Sequence, residues 1–121
     1  MHFSFSFRTR KASLVVQKTG FFGALRGLMF RSASSQALLF SFHSSFVPSI
    51  HSFFVFFPFY AVWLNQRREI VQINYVTPFT LRVFPKKKVA FLVEVPIHNK
   101  NTKITSFLDE VLLSLRRENK V

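Results

Sequence analysis

From Ser32 to Gln66 the chain carries no Asp, Glu, Lys or Arg. The whole sequence is otherwise strongly basic, with 17 Lys and Arg against 5 Asp and Glu and a formal charge of +12. A segment left so free of charge in such a chain has to leave water, for a protein core or for lipid. Its centre, Ile50 to Leu64 (IHSFFVFFPFYAVWL), decides between the two. A membrane-spanning helix needs about 20 mainly apolar residues, and Phe46 to Leu64 approaches that length. Pro58 would stand inside such a helix, removing a hydrogen bond and colliding with the preceding turn. Pro48, Ser49, His51 and Ser52 interrupt it further. Phe, Val, Tyr, Trp and Ile dominate the stretch, and these residues favour strands. Divided at Pro58, it yields two runs of strand length, Ile50 to Phe57 and Phe59 to Leu64, apolar at successive positions as expected of strands covered on both faces. The sequence therefore predicts buried strands and no transmembrane segment.

The flanking sequence repeats this theme. Phe3-Ser4-Phe5-Ser6-Phe7 alternates with period two, the pattern of a half-buried strand, and Ala12 to Gln17 supplies a partner for it. Gly20 and Gly23 mark a turn, and Leu25, Leu28 and Met29 fit one or two helical turns near residues 23–31. Ala37 to Phe42 reads as a strand. Asn65 to Arg68 is a polar turn, and Glu69 to Val76 returns from it, with Val71, Ile73 and Tyr75 expected on one face and Gln72 and Asn74 on the other. Phe79 to Phe84 and Val89 to Val95 read as two more strands, separated by the Pro85-Lys86-Lys87-Lys88 turn. Towards the end, Phe107, Leu108, Val111, Leu112 and Leu115 recur at helical spacing. Thr105 or Ser106 is the expected cap, Asp109 and Glu110 are expected near the positive end, and Arg116 and Arg117 suit the negative end. The expected fold is mainly β: a single domain over residues 1–121, a barrel or jelly-roll-like sandwich of short, mostly antiparallel strands, with an amphipathic helix over 106–117.

Composition excludes some chemistry. There is no cysteine, so neither a disulfide framework nor a thiolate zinc site is possible. The 18 phenylalanines are first of all core material. Residues 1–20 contain no uninterrupted apolar run of the kind a secretory signal needs, which makes the cytoplasm the expected location. The only aspartate is Asp109, in the terminal helix, so no Ser/His/Asp triad is proposed. No phosphate-binding glycine loop is present.

Four pieces, in order, resemble a known family. Arg26-Gly27-Leu28-Met29-Phe30-Arg31 matches the Arg-Gly-Leu-Met-x-Arg signature of the bacterial and archaeal domain-of-unknown-function family 192, also called uncharacterised protein family 0127. Ala37 to Phe42 is similar to the strand that follows it there. Phe53 to Asn65 is similar to the archaeal form of the central motif, Phe-Phe-x-x-x-Pro-Ile-Asp-Val-x-Phe-Leu-Asp. Pro85 to Pro96 looks like the family's closing segment, which ends in Glu-(Leu/Val)-Pro. The resemblance spans about residues 1–96 and implies a compact β-rich domain with no established activity. Two positions depart from it: the motif aspartates are here Tyr60 and Asn65.

The candidate ligand-binding residues are Arg26, Arg31, His51 and Glu94. The two arginines flank a glycine-containing turn and present guanidinium forks suited to a phosphate or carboxylate. His51 opens the central stretch, with His43 in the turn before it; with so few acids and no cysteine, a third metal ligand is lacking, so no metal or cofactor is expected. Glu94 is an acid inside an apolar strand, to be explained by a basic partner or by a site. The reading that follows is a small binding domain for a small-molecule or protein partner, without a catalytic set. Net charge leaves nucleic acid as the alternative partner, and an enzyme of unknown reaction is a third reading.

Overall fold

The computed structural model describes residues 1–18, 36–42, 55, 57–80, 83–98 and 102–119. Within them lie six strands and one helix: β1 (His2–Phe7), β2 (Arg10–Lys18), β3 (Ala37–Ser41), β4 (Phe59–Leu64), β5 (Ile70–Val76), β6 (Phe91–Pro96) and α1 (Thr102–Asn119). The strands form one sheet in the order β1-β2-β3-β6-β4-β5. Every neighbouring pair is antiparallel except β2–β3, which runs parallel.

The sheet curls until its two outer strands meet. The Ser6 amide donates to the Arg68 carbonyl at 2.9 Å, and Ser6 and Glu69 form a parallel bridge. The result is a half-barrel, the mainly β single-domain class expected from the strand pattern. Its inner face gathers residues from all six strands, among them Phe3, Phe5, Val16, Leu39, Val62 and Val93. The helix α1 lays Leu108 and Val111 into this cluster, with Phe107, Leu112 and Leu115 packed at its margin. The outer face of the central strands carries a second cluster, including Leu38, Phe40, Trp63 and Leu92, roofed by Val55, Phe57 and Val89.

The charge-free stretch is central to both layers. All six residues of β4 are buried, alternating Tyr60, Val62 and Leu64 inward with Phe59, Ala61 and Trp63 outward. A strand between β6 and β5 with both faces covered has to be apolar throughout. Val55 and Phe57 are buried but lie outside any strand; the other residues of the expected strand before Pro58, except Ile50 to Phe57's two named members, lie outside the described residues, as does the helical turn expected near 23–31.

Three expectations need correction. A register shift of β5 against β4 falls between Trp63 and Leu64, so that Trp63 faces Gln72 while Leu64 faces Ile70. The extra residue is Val71, which packs on the outer cluster and not beside Ile73, because a bulge reverses the alternation downstream of it. Of the expected strand Phe79 to Phe84, the described residues lie in no strand: residues 77–80 make a turn, closed by the Thr80 hydroxyl donating to the Thr77 carbonyl at 2.8 Å, and residue 83 forms only an isolated bridge. Finally, α1 begins at Thr102, upstream of the expected start, so Thr105 and Ser106 lie within it and its first turn has no acid. Thr105 donates its hydroxyl back to the Thr102 carbonyl. Arg116 and Arg117 do occupy the last turn, where a positive charge suits the helix dipole.

Candidate functional site

Asn65 organises the end of β4. Its Oδ1 accepts from the amides of Arg67 at 2.9 Å and Glu69 at 3.0 Å, the self-closing turn that Asn and Asp side chains favour. Its Nδ2 donates to Glu69 Oε1 at 3.0 Å. The backbone closes the same loop, with the Asn65 amide donating to the Glu69 carbonyl and the Arg68 amide to the Asn65 carbonyl. Arg68 takes a φ of 61°, and its guanidinium lies 4.6 Å from the Phe3 ring centroid and 5.8 Å from that of Phe91. The two consecutive arginines thus part company. Arg68 covers the aromatic rim of the barrel, while Arg67 faces a cleft.

That cleft has a volume of about 360 Å³ and lies between the turn and the residues leading into β6. Asn65, Gln66, Arg67 and Glu69 line one wall, and Lys88, Val89 and Ala90 the other. The walls are fastened together where the Ala90 amide donates to the Leu64 carbonyl at 2.8 Å, and the Phe42 amide donates to the Ala90 carbonyl at 2.9 Å. Two cations, Arg67 and Lys88, therefore meet in one recess from separate elements. The ion pairs among the described residues are Arg8–Glu118 and Arg10–Glu110, so neither cleft cation is ion-paired with a described carboxylate, and the cleft holds two cations against the one carboxylate of Glu69. The Glu69 carboxylate on the same wall is held by Asn65. This arrangement can bind a small anion.

Of the candidate ligand-binding residues, Glu94 alone lies within the described part; Arg26, Arg31 and His51 fall outside it, as does His43. Glu94 is the one charged residue among the buried side chains described, at 3% exposure. It sits on the outer face, in register with Leu38 of β3 and Ala61 of β4, and does not line the cleft. Among the described residues no group of three His, Asp or Glu side chains is placed to hold a metal ion.

Tyr60, the other departure from the motif, is buried on the inner face. Its hydroxyl donates to the Asp109 carboxylate of α1, and its ring meets Tyr75 edge-on at 5.7 Å. Nearby, Arg10 pairs with Glu110 at 2.6 Å and stands 4.9 Å from the Phe107 ring centroid. The position where the family's motif has an acid thus fastens the helix in this chain. Periodicity in one strand carries no sign of this contact, nor of the cleft, whose walls are some twenty positions apart in the chain; the two polar turns, Asn65 to Arg68 and Pro85 to Lys88, are the traces of the latter in the sequence.

The comparisons with known proteins agree with the architecture. A family model described as "Uncharacterized ACR" (DUF192) matches residues 8–105. A protein of unknown function from Novosphingobium aromaticivorans DSM 12444 superposes with a TM-score of 0.66 at 11% identity, covering 78% of this chain and 71% of its own. A protein from Sinorhizobium meliloti 1021, described as a "putative transcription regulator", superposes with a TM-score of 0.65 at 16% identity, covering 86% and 84% respectively. At these identities the likeness is one of fold. No curated protein matches the sequence.

Proposed function

The chain belongs to the DUF192 family, and from that footing we propose that it is a small, non-catalytic binding domain whose cleft beside the Asn65–Glu69 turn takes a small anion. The observation that carries this reading is that Arg67 and Lys88 line one recess, neither ion-paired with a described carboxylate, and outnumber the single carboxylate there, Glu69. A phosphate or carboxylate suits the pair: the arginine offers a planar fork and the lysine a mobile point charge. Tyr60 and Asn65 support a binding role over acid–base chemistry. Both replace acids of the family motif, and both side chains are engaged in hydrogen bonds that hold the fold.

Titration with inorganic phosphate and with citrate, read by calorimetry and by thermal unfolding, tests the proposal. A ligand at a hundredfold excess over its Kd stabilises the folded state by about 2.7 kcal/mol. The Arg67→Ala/Lys88→Ala double variant is expected to lose that gain while keeping its own fold. An equal gain in both proteins, or none in either, overturns the assignment.

A second reading centres on Glu94, a carboxylate buried in register with Leu38 and Ala61; Arg26, Arg31 and His51 are the residues proposed to share that ligand. Calorimetry on Glu94→Gln separates the two, since that substitution leaves the cleft untouched. Nucleic acid stays as the alternative partner, on the formal charge of +12. Arg8 and Arg10 lend it little, being paired with Glu118 and Glu110. No helix among the described residues is long and apolar enough to cross a membrane, and a cytoplasmic location and an archaeal type of central motif belong to the same proposal.

A further inference from the structure

The cleft beside the end of β4 holds a carboxylate as well as its two cations, and that carboxylate is only partly used by the fold. Glu69 is half-buried and fixed at two points: its amide donates to Asn65 Oδ1, and its Oε1 accepts from Asn65 Nδ2, both at 3.0 Å. It belongs to neither of the ion pairs among the described residues, and its Oε2 takes part in no described hydrogen bond. An ionised carboxylate offers about four acceptor positions on its two oxygens. Most of the accepting capacity of Glu69 is therefore left for a ligand.

The cations complement it in a different way. Arg67 and Lys88 are exposed, on long side chains whose charged ends can adjust to what enters, but their backbones are anchored. Asn65 Oδ1 holds the Arg67 amide, and Lys88 stands two residues before Ala90, which is tied to Leu64. At about 360 Å³ the cleft is at the small end of the range of roughly 300–1,000 Å³ usual for ligand sites. Among the described residues its lining has no aromatic side chain, so a nucleobase would find no ring to stack on. Buried Val89 and Ala90 supply an apolar part of the lining, suited to methylene groups.

We propose that the ligand of this cleft is a small amino dicarboxylate, with its carboxylates taken by Arg67 and Lys88 and its ammonium group by Glu69. This rests on the anion-binding reading of the cleft and adds a receptor for a positive group. Two cations and one carboxylate in the site match two carboxylates and one ammonium in the ligand. A simple anion would instead bring negative charge up to Glu69, and like charges brought together act against a wrong partner. If Glu69 served only to temper the two cations, removing its charge would strengthen the binding of every anion, amino or not. The two roles thus predict opposite signs for one substitution.

Calorimetry on the full chain tests this with L-aspartate against succinate and L-glutamate against glutarate, each pair sharing a carbon skeleton and differing by the amino group. In at least one pair the amino compound is expected to bind about tenfold tighter, the scale of one charge-assisted hydrogen bond. Glu69→Gln keeps an oxygen for Asn65 Nδ2 to reach but removes the charge. In that variant the amino compound is expected to weaken about tenfold while its partner tightens, so that the order reverses. Tighter binding of both members of the pair to the variant overturns the proposal. Equal affinity within both pairs in the parent protein also overturns it, whether or not the variant folds, and leaves the anion site standing if succinate, glutarate, phosphate or citrate binds. If none of these compounds binds, this inference and the anion-binding reading fall together.

Discussion

Asn65 and Tyr60 show how a motif position can keep its place while changing its work. Asn65 retains an oxygen that two backbone amides can reach, and adds a donor for Glu69 that an aspartate would lack. Since each net hydrogen bond is worth about 0.5–1.5 kcal/mol, Asn65→Ala is expected to cost about 2 kcal/mol, read as a shift of the urea midpoint at unchanged slope. Arg68 offers a sharper test. Its left-handed φ of 61° burdens any residue with a Cβ, while its guanidinium lies over Phe3. Arg68→Gly loses the ring contact but relaxes the backbone, whereas Arg68→Ala loses the contact and keeps the strain. The glycine variant should therefore be the more stable of the two by about 1 kcal/mol. The resemblance to the family motif marked Tyr60 and Asn65 as positions where a carboxylate is missing. It did not reveal what they bind, because the Tyr60–Asp109 contact joins residues 49 positions apart.

Elements were legible where local chemistry and tertiary pairing agree. The β1–β2 pair, the β4–β5 hairpin and the terminal helix each announce themselves through alternation, turn residues or helical spacing. Phe79 to Phe84 looks equally strand-like in composition, but strand propensity mostly measures fit to a paired, half-buried surface. Here Phe79 and Phe84 are exposed, and Thr77 and Thr80 close a turn instead. The β5 bulge was hidden for a related reason, since Val71 reads as one more alternating position until its partner strand is known. The helix carries its own test. Leu108 is fully buried, so Leu108→Ala is expected to cost about 2–5 kcal/mol. The exposed Arg10–Glu110 pair should show a coupling below about 1 kcal/mol in a double-mutant cycle. Measured by urea unfolding, that contrast would establish that packing holds α1 in place and that its ion pairs add little.

At the scale of the whole molecule, the sheet is a partition with a core on each side, and α1 closes the inner one. The family model ends at residue 105, so most of the helix lies beyond the matched segment, yet Leu108 and Val111 are as deeply buried as the strands they touch. Burying one such side chain is worth about 1.5–3 kcal/mol, so the two together contribute on the order of 3–6 kcal/mol. A domain's total stability is about 5–15 kcal/mol. Removing residues 102–121 should therefore abolish cooperative folding and not merely open the half-barrel. Trp63, the only tryptophan in the chain, reports on this from the opposite side of the sheet, where it is fully buried and donates its indole N–H to Asn74. In the full chain its emission should be blue-shifted and should move to the red in one cooperative transition. The shortened chain should show red-shifted emission from the outset, because loss of the inner cluster would carry through the shared strands to the outer one. Blue-shifted emission and a cooperative melt in the shortened chain would mean that the strands alone suffice, and that the helix is an addition to a barrel already stable without it.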